Sequence, residues 1–135
     1  MAYEYFLQAY SKGEPQEVRT EKILAVFTKY ITGKGEDYID LQFDDENACT
    51  IYIDSNESTV NGLMVSRPCS GKLGECLYQV MLLGNFIFFE PDGISPIIST
   101  KTTKKHLPED MTEALGEPVI AENMNKFLTL YESNR

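Results

Sequence analysis

Histidine is almost missing from this sequence: His106 is the only one among 135 residues. Zinc sites draw on His and Cys together, and the three cysteines, Cys49, Cys69 and Cys76, are scattered without C-x-x-C spacing. No zinc set can be assembled from them. The odd cysteine count fits a reducing compartment, with the thiols serving as small buried hydrophobes, although a Cys69–Cys76 disulfide stays open. Long apolar runs are missing too. The longest, around "VMLLGNFIFF", is interrupted by Asn85 and is too short to span a bilayer. The opening "MAYEYFLQAYSKG" lacks a basic segment followed by an apolar one, so no signal peptide is expected and a cytoplasmic location is. Basic residues are few: a net charge of −9 argues against nucleic acid and anionic membranes as partners.

Basic side chains are absent altogether from residues 36–57, which carry eight acids. That leaves 13 of the 21 acids against all 12 bases in the remainder, so this one stretch supplies most of the net charge. The pattern suits neither a metal nor catalysis. A calcium loop needs oxygen ligands at alternate positions, a turn glycine and a distal Glu; "DDENACTIYIDS" and "DSNEST" lack the glycine. Paired catalytic carboxylates need a cleft that separates their pKa values, whereas alternation puts Asp40, Asp44 and Asp54 on a solvated strand face. A nucleophile needs a base at hand, and His106 sits among Lys101, Lys104 and Lys105 in a polar loop. "SRPCSGKLGE" resembles a phosphate loop at Gly71-Lys72 but has Ser66 and Leu73 where Gly and Ser or Thr belong; Ser70 as a helix cap explains it without a ligand. No enzyme activity, cofactor or metal is therefore expected.

Periodicity gives the elements. "YEYFLQAY" reads as a strand. Apolar residues at helical spacing predict a helix over 16–31, with Pro15 opening it and Gly33 stopping it. "YIDLQFD" and "ACTIYID" alternate with period two, bury Ile39, Leu41, Phe43, Cys49, Ile51 and Ile53, and are joined by the turn-forming "DEN". "TVNGLMVS" adds a third strand with Leu63 and Val65 inward. A helix over 72–83 buries Leu73, Cys76, Leu77, Val80 and Met81. "FIFFE" and "ISPIIST" form a hairpin through Pro-Asp-Gly, "KTTKKH" is a loop, and Pro108 opens a short helix that ends at Gly116, with Leu107 stapled to Met111. "EPVI" forms a short strand and a last helix covers 122–132. The class is α+β: one domain over 1–135, a largely antiparallel sheet with flanking helices.

On the outer face of this hairpin, Tyr38, Asp40, Gln42 and Asp44 lie beside Thr50, Tyr52 and Asp54. Tyrosines among carboxylates suit a protein-binding surface, the rings anchoring and the acids steering a basic partner. The candidate partner-binding residues are Tyr38, Asp40, Asp44, Asp45, Glu46, Tyr52, Asp54 and Glu57. The alternative is a solvated face that keeps the protein soluble.

The C-terminal third, "GNFIFFEPDGISPIIST" with "HLPEDMTEALGEPVIAENMNKFLTLY", resembles the tails of small acidic immunity proteins of bacterial polymorphic toxin systems, of the contact-dependent inhibition or type VI secretion type. The likeness lies in Leu107-Pro108, in Leu115-Gly116-Glu117-Pro118 and in the closing helix with Phe127, across about residues 85–131. It implies a cytoplasmic protein that binds a cognate protein toxin stoichiometrically and occludes its active site. If the toxin were a nuclease, an acidic face would mimic the phosphate backbone in its basic cleft. A type III secretion chaperone, a dimer that holds an effector segment, is the alternative for a small acidic protein mixing helices with antiparallel strands.

Overall fold

The first strand, β1 (Glu4–Ser11), buries every second residue, Tyr5, Leu7 and Ala9, and leaves the others at the surface. The computed structural model describes residues 4–69, 71–90 and 95–133. β1 turns back through Lys12 and Gly13, both at positive φ (52° and 83°), the geometry of a tight two-residue hairpin. It then pairs with β2 (Glu14–Pro15). Pro15 is thus a strand residue and opens no helix. The next residues are also drawn into pairing: the Gln16 N–H donates to Ala9 O at 2.9 Å, and β3 (Val18–Arg19) pairs with the later segment Thr59–Val60. Helix α1 therefore covers only Thr20–Phe27, followed by a tight 3-10 turn over Thr28–Tyr30. Ile31 and Gly33, expected at the end of that helix, belong to β4 (Ile31–Lys34). Gly33 lies opposite Asp40 on the next strand, where an added Cβ would come within 3.1 Å of the Asp40 carboxylate.

The alternating segments fold into β5 (Tyr38–Gln42), β6 (Ala48–Tyr52), β7 (Thr59–Val60) and β8 (Gly62–Ser66). β5 stops short of Phe43, which is only half-buried, and the single strand expected over "TVNGLMVS" is two, β7 pairing with β3 and β8 with β1 and β6. Then come α2 (Lys72–Met81), β9 (Phe86–Phe89), β10 (Ile97–Ile98), α3 (Lys101–Lys104), α4 (Glu109–Leu115), β11 (Val119–Ile120) and α5 (Met124–Ser133). The expected Ser70 cap and Pro-Asp-Gly turn lie outside the described residues. The expected loop "KTTKKH" instead begins with α3, because Thr103 turns inward and is buried beneath it. His106, expected to be an exposed loop residue, is half-buried and holds the first turn: its Nδ1 accepts from the Lys12 N–H at 3.1 Å, and its carbonyl accepts from the Gly13 N–H at 2.9 Å.

The main sheet runs β11-β10-β9-β1-β8-β6-β5-β4, with β2 beside β1. All its pairs are antiparallel except β10 with β11. The chain forms a single compact α+β domain. One sheet face carries the main core, in which inward residues such as Leu7, Ile39, Ile51 and Val65 pack with Ile23 and Phe27 of α1, Leu73 and Leu77 of α2, and Phe127 and Tyr131 of α5. Two buried tyrosine hydroxyls there are satisfied, Tyr131 Oη donating to Cys69 O at 2.7 Å and Tyr78 Oη to Ala121 O at 2.9 Å, whereas the buried Thr20 Oγ1 at the start of α1 has no partner among the described residues. A smaller cluster, Ile87, Ile98 and Leu107 with Met111, Ile120, Tyr10 and Phe89, covers the β9–β10 end of the opposite face. Leu107 and Met111, expected to staple together, both belong to this cluster. The β5–β6 end of that opposite face carries the acids.

Candidate interaction face

Strands β5 and β6 pair in a register that sets Tyr38 opposite Tyr52, Asp40 opposite Thr50 and Gln42 opposite Ala48. These side chains share a face because directly paired residues project together, and their chain neighbours Ile39, Leu41, Cys49 and Ile51 are buried on the other. Among the described residues, Tyr52 is one of two large hydrophobic residues that stand out into solvent, 43% exposed. Asp40 is fixed in the middle of the face, its Oδ1 accepting from the Thr50 hydroxyl at 2.7 Å.

Asp44 has a local task. Its Oδ1 accepts from the N–H groups of Glu46 and Asn47 at 2.8 and 2.9 Å, and the Asn47 amide reaches both carboxylate oxygens. These bonds favour the ionised form, and the carboxyl titrates below the usual range, chiefly because of the Asn47 side chain and then the Glu46 backbone. Asp45 and Glu46 sit exposed at the hairpin tip.

At the other end of the strands, the Ile53 N–H donates to Asp37 O and the Ser55 N–H to Glu36 O, while Ser55 Oγ donates to Gly35 O at 2.8 Å. This stitching holds the 53–58 loop beside 35–37. Between that loop and β8 opens a groove of about 500 Å3, lined by Glu17, Asp37, Tyr52, Asp54, Glu57 and Asn61 among others. Its charged lining is four carboxylates and no Lys or Arg.

The predicted residues therefore separate. Tyr52, Asp54 and Glu57 come together at the groove, and Tyr38 and Asp40 lie alongside them on the sheet. Asp44, Asp45 and Glu46 gather at the far end of the hairpin, about 17 Å along a five-residue strand. Glu17 was missed. Its sequence neighbourhood reads as helix, and only the pairing of β3 with β7 carries it to the groove. Among the described residues the ion pairs are Arg19–Glu21, Lys72–Glu75 and Lys104–Glu117. None engages an acid of the 36–57 stretch. Arg67 lines a second groove with Asp40 and Thr50. Among the described residues no three His, Cys, Asp or Glu side chains gather closely enough to hold a metal ion, and no helix is long and apolar enough to cross a membrane.

No protein-family model, curated protein or solved structure matches this chain.

Proposed function

We propose that the protein binds and neutralises a cognate bacterial toxin, docking on it through the β5–β6 face and the acidic groove at its end. One observation carries this reading: the carboxylates around exposed Tyr52, namely Asp37, Asp54, Glu57 and Glu17, lie together on one side without an internal ion pair. Unpaired like charges repel one another and cost stability, so holding them together suits a partner of opposite sign. A toxin with a basic substrate cleft, such as a nuclease domain, is that kind of partner. The acids raise the encounter rate, while Tyr38 and Tyr52 supply rigid contact area at the centre. The resemblance of the C-terminal third to immunity-protein tails supports the same reading. Binding is stoichiometric and involves no catalysis or cofactor.

The test is titration of the chain with any toxin domain found encoded beside its gene. A one-to-one complex is expected, with affinity at least tenfold weaker at 500 mM than at 50 mM NaCl and weaker again for the Asp54→Lys/Glu57→Lys variant. A complex indifferent to both changes would rule out this face.

A further inference from the structure

Strand register lines up five large side chains across the sheet face opposite the main core, from Phe89 at the edge of the smaller cluster to Tyr38. Phe89 lies opposite Phe6, Phe6 opposite Met64, Met64 opposite Tyr52, and Tyr52 opposite Tyr38. Their chain neighbours Leu7, Val65, Ile51, Ile39 and Phe88 are buried in the main core, so these five project from the opposite face. Phe6 and Phe89 stack with ring centroids 5.3 Å apart and planes at 18°. Phe6, Met64, Phe89 and Tyr38 are only half-buried, and Tyr52 is exposed. Four interstrand spacings of about 4.8 Å make the strip about 19 Å long. Each strand by itself shows one ordinary surface residue here; the register turns them into a continuous apolar strip. Strips of this kind on a soluble protein mark interaction sites.

Its borders are acidic. One neighbouring row runs Glu4, Ser66, Thr50, Asp40, with a carboxylate at each end. On the other border, beyond Tyr52, lies the groove of Glu17, Asp37, Asp54 and Glu57. Arg67, next to Ser66, lines a groove with Asp40 and Thr50 of that row. A second copy of the chain is a poor occupant, because face-to-face packing would bring these carboxylates against their own kind.

We infer that this strip is the centre of the docking surface, and that the partner presents apolar side chains bordered by lysine and arginine. The inference rests on the proposed docking role of the face and adds Phe6, Met64 and Phe89 to it. Desolvation of the strip holds the complex, and the carboxylate borders orient it.

Two synthetic peptides of equal length test this on the full chain, followed by amide chemical shifts. Both carry the same Leu and Phe residues; one has Lys and Arg between them, the other Glu. The basic peptide is expected to shift the Phe6, Met64, Tyr52 and Phe89 amides saturably and the acidic peptide to leave them unmoved. Met64→Thr, which keeps a strand-forming residue and whose folding is checked by circular dichroism and Tm, should bind the basic peptide at least tenfold more weakly. Shifts confined to Asp54–Glu57, with Met64→Thr binding like the parent, would overturn the strip and leave the acidic groove as the docking site. No saturable shift with the basic peptide would overturn both. Self-association in sedimentation that Met64→Thr abolishes would assign the strip to a second copy and overturn the basic partner.

Discussion

Asp44 shows why charge in a stretch of sequence does not by itself define a binding residue. It accepts hydrogen bonds that close the β5–β6 hairpin, and Asp44→Ala should lower the urea midpoint at pH 7. The dependence on pH follows from its depressed pKa. The stabilisation is complete above the ordinary carboxylate range and is lost as pH falls through the lower folded value. The gap between parent and variant should therefore close in acid; a gap unchanged at pH 2 would contradict the capping role. The cysteines behave differently. All three are free, buried thiols, as expected of small hydrophobes in a reducing compartment. Burial pushes Cys76 up to about 11, and a hydrogen bond with Cys69 followed by burial raises Cys49. A thiol reagent at pH 8 should leave the folded protein unlabelled and react with all three cysteines in denaturant; fast labelling of the native chain would refute this. That Cys49 of β6 meets Cys69 ahead of α2 could not be read from their spacing.

At the scale of elements, periodicity was a good guide wherever one face of a strand or helix is buried. Ile39 and Leu41, Leu63 and Val65, and the Leu73–Leu77–Met81 stripe are all inward as their spacing required. It failed at residues 16–19, where local preference favoured extending α1 but pairing with β1 and β7 offered backbone hydrogen bonds the helix could not match. The same competition hid Glu17 from the groove. It also failed at 101–104, where a run of polar residues concealed one inward threonine. Contact between helices is equally invisible in sequence. Gly74 on α2 faces α5 so closely that a Cβ would lie 2.9 Å from Leu128 Cδ2 and 3.1 Å from Tyr131 Cδ2. Tyr131 is held by its bond to Cys69 O and cannot easily yield. Gly74→Ala gains about 1 kcal/mol of helix propensity but should lose more to overpacking, for a net destabilisation of about 1 kcal/mol. A stabilised variant in urea denaturation would show that α5 can retreat.

For the whole molecule, the asymmetry of charge was plain in the sequence, but the geometry of the site was not. The alternation placed Tyr38, Asp40 and Tyr52 on one face, and the structure keeps them there. It could not show that the hairpin sends Asp44, Asp45 and Glu46 to one end and Asp54 and Glu57 to the other. Nor could it reveal the cross-strand strip, because register is a relation between segments far apart in the chain. If the proposed docking holds, the contributions of the acidic face and the apolar strip can be told apart: charge reversal should mainly slow association, and apolar truncation should mainly speed dissociation. A strict dimer in sedimentation would instead speak for a secretion chaperone.

Protection is the property that matters most. The decisive measurement is survival of cells expressing any toxin domain found encoded beside the gene together with either the parent chain or its Asp54→Lys/Glu57→Lys/Met64→Thr variant, at matched levels of folded protein. The parent should rescue growth and the variant should fail; equal rescue by both, or none by the parent, would contradict neutralisation through this face.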